Sequence, residues 1–324
     1  MELNAKKDVL RVGMDEVSLR ESFGKALVDL APELPDFVVL DGDVASGTGT
    51  YQFRSAYPAR FFQFGIAEQN MVAAASGFAA VGLVPVVTSF AVFMLRAYEQ
   101  VRLSVAYPRR NVKLVASHPG LDVGPDGASA QALEDLAAMR AIPGMVVLSP
   151  ADALEVSLAT EAMLAYEGPV YMRTGRSPAA TVFEGAHSFE IGKGQVIREG
   201  SDVSVIACGV CVSRALEAAS MLSERGISVR VVNMPTIKPL DEALVTECAI
   251  KTACVVSAED HNIHGGLGSA VAEVLAREHP TPMEFIGVRD VFGESGEHTD
   301  LPARYGIDAA GIVAGVERAL RKKQ

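Results

Sequence analysis

The chain has 324 residues, 49% of them hydrophobic, which is enough to bury a large core and suits two domains better than one. A formal net charge of -11 leaves no basic footprint for a nucleic-acid backbone and points to small molecules or proteins as partners. Four cysteines (Cys208, Cys211, Cys248, Cys254) and an N-terminus, MELNAKKDVLRVG, without an apolar segment predict a cytoplasmic protein with no disulfide framework.

Strand and helix signals alternate along the chain, the pattern of a mostly parallel sheet with helices on both faces. Strands are predicted at 37–44 (FVVLDGDV), 84–90 (VPVVTSF), 111–118 (NVKLVASH), 145–149 (MVVLS) and 169–173 (PVYMR), with helices near 18–31, 67–82, 92–106, 130–141 and 151–166. Pro150-Ala151-Asp152 reads as a helix start and Gly168-Pro169 as a stop. The apolar stretch 66–95 is broken by Glu68, glycines and Pro85, so no membrane span is expected. After an irregular, glycine-rich stretch at 175–201, a second series has strands at 203–208, 228–233, 253–258 and 283–288. Its helices lie near 212–225, 240–250, 268–279 and 309–322. A boundary near 190 therefore separates a domain at 12–189 from a smaller α/β domain at 190–324, whose sheet should have mixed strand direction.

Glu68 is the sharpest chemical signal. It falls in the first turn of a predicted helix, where the macrodipole favours a negative charge by about 0.3–1 kcal/mol. The residues that follow, QNMVAAASGFAAVG, carry no charge and read as a buried helix. A carboxylate there would be desolvated, with its pKa raised, unless something pairs with it. Composition alone leaves two readings open, a helix-start charge and a buried catalytic or ligand-binding carboxylate.

The segment GIAEQNMVAAASGFAAVG, followed by VTSFAVFMLRAYEQVRLSVAY and LVASHPGLDVGPDGASAQALEDLAAMRAIPGMVVLSPAD, resembles the pyrimidine-binding domain of transketolases and of the related deoxyxylulose-phosphate synthases. Residues 190–324 are similar to the small C-terminal domain of the same enzymes. Full-length members carry, ahead of this region, a domain whose GDG…N motif binds the pyrophosphate of thiamine diphosphate through a divalent cation. The only comparable triplet here, Asp41-Gly42-Asp43, lacks the downstream Asn and matches instead the stretch that opens the pyrimidine domain. The resemblance thus implies the C-terminal subunit of a split transketolase. Its N-terminal partner would hold the Mg2+ or Ca2+, and this chain would bind no metal itself.

Residue by residue, the resemblance implies the following site. Glu68 hydrogen-bonds N1′ of the cofactor's aminopyrimidine, and a raised pKa would suit a carboxyl that donates there. Phe90 and Phe93 form a flat wall for that ring, a contact worth roughly 0.5–1.5 kcal/mol beyond burial; Asp43 joins them as a cofactor contact. His118, in ASHPG, contacts a substrate hydroxyl and assists proton transfer, work for which a pKa near neutrality is suited. Asp126 reads a sugar hydroxyl. Arg173, in YMRTGRSP, binds the acceptor's phosphate with its fork of donors, and Arg176 could substitute for it. Ala130 departs from the family pattern: it stands where a second substrate-facing His is expected, which suggests either a substrate other than the usual pentose phosphates or a contact replaced from elsewhere.

Other signals read as structural. The Cys208/Cys211 pair has no second pair with which to bind zinc. His261, His264 and the glycines of HNIHGGLGSAV resemble a phosphate-binding turn only weakly. Glu259-Asp260 and Glu294…Glu297 read as solvated loop charges. The function expected is ketol transfer between sugars or sugar phosphates, by a self-dimer joined to two partner subunits as a heterotetramer. The alternatives are an acyloin-forming enzyme like deoxyxylulose-phosphate synthase and a non-catalytic binding module.

Overall fold

The computed structural model describes residues 16–185 and 187–323. Its first half is built on a seven-stranded sheet. The strand order is Thr236–Lys238, Val146–Leu148, Val170–Thr174, Lys113–Ser117, Val84–Phe90, Phe37–Asp41, Phe61–Gln63, and all but the first run parallel. Helices cover both faces, which explains why Phe37–Asp41, Lys113–Ser117 and Val170–Thr174 are buried along their whole length and are mostly apolar rather than alternating. Helix starts follow local chemistry: Ser18 caps Leu19–Leu30 by accepting from Glu21 N–H, and Asp152 caps Ala153–Ala165 by accepting from Glu155 N–H.

The second half is a five-stranded sheet ordered Met283–Val288, Val255–Asn262, Val203–Ala207, Val229–Asn233, Gln195–Arg198. Its last strand is antiparallel, giving the mixed direction expected. The halves are stitched together rather than strung on a linker. Thr236–Lys238, from the second half, pairs antiparallel with the edge strand Val146–Leu148 of the first, and Ser149 N–H donates to Pro235 O at 2.7 Å. Leu136, Met139 and Ile142 share one apolar cluster with Ile237, Leu267 and Val271 across the join.

Three expectations need correction. The helix expected at 92–106 is one unbroken helical run but not a regular α-helix: Ala91–Met94 passes through a 3-10 turn at Leu95–Ala97 and Tyr98–Gln100 into a π-helical Val101–Ala106. The helix expected at 130–141 starts only at Asp135, because the backbone before it pairs elsewhere: Gly120 N–H donates to Ala132 O at 2.8 Å. Helix Glu68–Ala80 is not wholly buried; Gln69, Asn70, Ala73 and Gly77 present an exposed face. No helix among the described residues is long and apolar enough to cross a membrane.

Candidate active site

Four neighbouring parallel strands end in register, Asp41 beside Thr88, Phe90 beside Ser117 and Ser117 beside Thr174. Ligands of such sheets bind beyond these carboxyl ends. Here three strand-end side chains carry a buried oxygen with no hydrogen-bond partner among the described residues: Oδ1 of Asp41, Oγ of Ser89 and Oγ1 of Thr174. Unpaired buried oxygens are costly, so a row of them at a strand-end crevice is what a polar ligand would satisfy.

Gln63 organises the loops at this edge. Its Nε2 donates to Asp41 Oδ2 at 2.8 Å, while its Oε1 accepts from Asp43 N–H at 3.0 Å and Gly65 N–H at 2.9 Å. One amide thus ties the Asp41–Asp43 turn to the turn leading into Glu68. Burial raises the Asp41 carboxyl above its ordinary value despite the Gln63 contact. Asp43 itself is exposed, with φ 67°, so its carboxylate lies on the rim.

Glu68 is the first residue of helix Glu68–Ala80 and is 2% exposed. Its charge is met by Arg96, Nη1 to Oε2 at 3.3 Å, from the segment that also carries Phe90 and Phe93. The rings of Phe90 and Phe93 stack at 5.4 Å between centroids, 15° apart in plane, and Phe90 stacks in turn on His118 at 3.6 Å and 16°. Gly47 seats this stack: a Cβ there would lie 2.5 Å from the Phe90 ring. Phe90 is therefore an inner layer between Gly47 and two other rings, and Phe93 is the half-buried outer one.

His118 is 2% exposed, with φ 59°. Its Nδ1 lies 2.9 Å from Ser117 Oγ. Burial, with the charges of Arg20 and Arg176, pushes its pKa down to about 3, so the imidazole is neutral at physiological pH. It can donate or accept a hydrogen bond but does not carry the labile proton expected of a group titrating near neutrality. Asp126 is exposed and faces Arg176, Nη2 to Oδ1 at 3.6 Å.

Arg173 departs from its expected role. Its guanidinium is 6% exposed and committed inside the protein. Nε donates to Asp135 Oδ2 at 2.8 Å, Nη2 pairs with Asp135 Oδ1, and Nη1 donates to the Asp260 carbonyl at 3.0 Å. Tyr171 hydroxyl donates to the same Asp135 carboxylate, whose pKa Arg173 holds below its ordinary value against burial. The Nε/Nη2 fork is thus turned onto Asp135 and Nη1 onto the Asp260 carbonyl, so Arg173 does not present that fork to a phosphate. Arg176 is half-buried and close enough for its charge to act on His118.

Glu259 and Asp260 are not solvated, being 1% and 6% exposed. Glu259 caps helix Leu267–Glu278, accepting from Leu267 N–H at 2.7 Å and Gly268 N–H at 2.8 Å, so the glycine-rich turn is closed by its own carboxylate rather than open to phosphate. His261 is buried beside it, its pKa lowered to about 4 by burial. Burial pushes the Cys211 thiol up to about 12 and leaves both Cys208 and Cys211 as inert interior thiols. Among the described residues no group of three or more His, Cys, Asp or Glu is arranged to hold a metal.

The arrangement fits the aminopyrimidine end of thiamine diphosphate: a buried carboxylate, a half-buried aromatic face and unpaired strand-end oxygens. Sequence reasoning missed Arg96, Gln63 and the Asp122–Asp260 contact. Arg96 had a usable signal, since it is the first charged residue after Glu68 in the chain.

Residues 15–180 match the family model of the transketolase pyrimidine-binding domain and residues 192–312 that of the transketolase C-terminal domain. A Methanocaldococcus jannaschii protein named as a transketolase C-terminal section is 42% identical over 94% of this chain and 97% of its own length. A 6-deoxy-6-sulfo-D-fructose transketolase subunit of Clostridium is 39% identical over 96% and 97%. The 1-deoxy-D-xylulose-5-phosphate synthase 1 of Geobacter sulfurreducens is 37% identical over 93% of this chain but only 48% of its own. Among solved structures, a split-gene transketolase described as an inactive beta4 tetramer superimposes with a TM-score of 0.88, at 47% identity, over 96% of this chain and all of its own.

Proposed function

Because this chain belongs to the transketolase family, we propose that it is the C-terminal subunit of a two-chain, thiamine-diphosphate-dependent transketolase. Joined to a subunit bearing the pyrophosphate site, it would move a two-carbon ketol unit from a ketose to an aldose. The observation that carries this reading is Glu68, a carboxylate 2% exposed at a helix start and met by Arg96 from the segment that holds the aromatic pair.

When bound, thiamine diphosphate supplies the carbanion chemistry at its thiazolium C2 by which the carbon–carbon bond is broken and remade. Glu68 would hold a proton at N1′ of the aminopyrimidine, favouring the tautomer whose 4′-nitrogen is basic. Phe93, backed by Phe90, would cover the ring and exclude water. His118 would hydrogen-bond a sugar hydroxyl as a neutral imidazole, Asp126 would accept from another, and Arg176 would take an acceptor phosphate in place of Arg173. Asp43 would touch the cofactor from the rim. The divalent cation and the pyrophosphate contacts belong to the partner chain.

The names of two relatives support a divided enzyme: one is the C-terminal section of a transketolase, and the other is a transketolase subunit for a sulfonated fructose. The second accords with an acceptor or donor outside the usual pentose phosphates, as does Ala130. The split-gene neighbour's inactive tetramer matches the expectation that copies of this chain assemble with one another yet need the other half for turnover.

The test is to co-purify the chain with an N-terminal half carrying GDG…N and assay ketol transfer with thiamine diphosphate and magnesium, each chain alone and both together. Activity only in the mixture supports the proposal, and activity from this chain alone overturns it. A stable complex inactive on every ketose and aldose tried, but active on pyruvate with an aldehyde, would establish the acyloin-forming alternative.

A further inference from the structure

We propose that Asp260, a carboxylate of the C-terminal domain, is a positioning residue for the substrate-facing loop Pro119–Asp126 of the pyrimidine-binding domain. The inference rests on the function proposed above and extends it, because it gives the C-terminal domain a part in substrate recognition.

Asp260 lies at the join between the halves, 6% exposed, and each of its oxygens takes one backbone donor of the loop. Leu121 N–H reaches Oδ1 at 2.9 Å and Asp122 N–H reaches Oδ2 at 3.1 Å. The loop is seated closely: Gly120 has φ 68°, and a Cβ there would fall 2.4 Å from the Asp260 carboxyl carbon. Only a residue without a side chain lets the backbone rest on the carboxylate in this way. Asp260 is itself anchored, its carbonyl accepting from Arg173 Nη1 at 3.0 Å.

The hold passes on to both Arg176 and Asp126. Asp122 Oδ2 accepts from Arg176 N–H at 2.9 Å and Ser177 N–H at 3.1 Å, and Ser177 Oγ donates to the Asp122 carbonyl at 2.8 Å. Arg176 is thus tied to the loop at Asp122, and Asp126 stands four residues further along that loop. A second grip comes from the C-terminal domain at Glu294, whose carbonyl accepts from Gln131 Nε2 at 3.0 Å. Freed from Asp260, the loop and the bend that carries Arg176 would lose the shared support that fixes the Asp126–Arg176 spacing.

The experiment compares Asp260→Asn with wild type in the assembled two-chain enzyme. Asparagine offers one acceptor where two N–H donors converge on separate oxygens, so one donor faces an NH2 group. The expected result is a roughly tenfold rise in KM for the sugar substrates with kcat and thiamine-diphosphate affinity within about twofold of wild type. Faster amide exchange at Leu121 and Asp122 should accompany it, with strand Val203–Ala207 unchanged. Asp122→Ala, which keeps Asp260 but frees the bend that carries Arg176, should raise KM in the same way and serves if Asp260→Asn does not fold. Glu259→Gln, beside Asp260 but capping a helix within the C-terminal domain, should lower stability without moving KM or loop exchange. Unchanged exchange at Leu121 and Asp122, or faster exchange with an unchanged KM, overturns the proposal. If the wild-type assembly transfers no ketol unit, the proposed function fails separately, and exchange at those two amides in the full chain still decides whether Asp260 holds the loop.

Discussion

Arg96 reaches back across the site to Glu68, and the two are consecutive charges in the chain despite the long uncharged stretch between them. The pair is asymmetric: the Glu68 side chain is 3% exposed and that of Arg96 is 61% exposed. Water screens the arginine, so Arg96→Ala should change unfolding free energy by no more than about 1 kcal/mol. Urea denaturation of the isolated chain measures it, and a larger loss would show that the pair holds the fold rather than the site.

Glu68→Gln tests the catalytic carboxylate. It keeps the size and burial of the side chain while fixing its protonation, so the melting temperature should stay close to wild type. Turnover of the assembled enzyme at saturating cofactor should fall by roughly 10²- to 10⁴-fold, the usual span for losing a proton-transfer group. Steady-state assays beside thermal melts separate this from unfolding.

The two arginines of RTGR should behave oppositely. Arg173→Ala strands the Asp135 carboxylate in the interior and should cost about 3–5 kcal/mol of stability. Arg176→Ala touches only an outer pair at 3.6 Å and should cost at most about 1 kcal/mol. Only Arg176→Ala should leave a folded enzyme whose KM rises selectively for phosphorylated acceptors. Equal destabilisation by both substitutions would contradict the division of roles.

His118 should make the chain acid-sensitive. Its pKa falls from 6.5 to about 3 on folding, so between those values the folded chain binds fewer protons than the unfolded one, and stability drops as pH falls. Above pH 6.5 both states are neutral and there is no penalty; between 6.5 and about 3 stability falls by about 1.4 kcal/mol for each pH unit. His118→Asn accommodates the positive φ and removes the titration. The stability difference between wild type and variant, measured by urea unfolding from pH 7 to 4.5, should shift against wild type on acidification.

Gln63→Leu should uncouple the turns it joins. Removing the amide takes away the Asp41 contact and two backbone partners, at a cost of about 1–3 kcal/mol. Thiamine diphosphate should bind the assembled variant more weakly, since the turn that sets Glu68 is loosened. Calorimetric titration of cofactor into variant and wild-type assemblies reads this directly.

Much of the architecture was legible because buried strands and capped helices write local patterns: FVVLD, KLVAS and VYMRT are centred on apolar residues, and Asp152 announces its helix. The strand Thr236–Lys238 was invisible because its partner, Val146–Leu148, is distant in sequence and three residues carry no periodicity. Glu68 stood out through its uncharged surroundings. Arg173 misled because a strand-end arginine looks the same in sequence whether it faces a ligand or an interior carboxylate, and Asp135 lies far from it along the chain. Glu259-Asp260 misled similarly: adjacent acids usually sit in water, and only the fold reveals that backbone donors of a helix and of a distant loop converge on them.

The strand that crosses from one half to the other has a practical consequence for dissecting the protein. Expressing residues 16–189 alone would strip Val146–Leu148 of its neighbour and leave a bare apolar edge, a template for aggregation. A protease cut in the segment that joins the halves, by contrast, would leave two fragments held by a shared sheet and a continuous core, migrating as one particle until denaturant separates them.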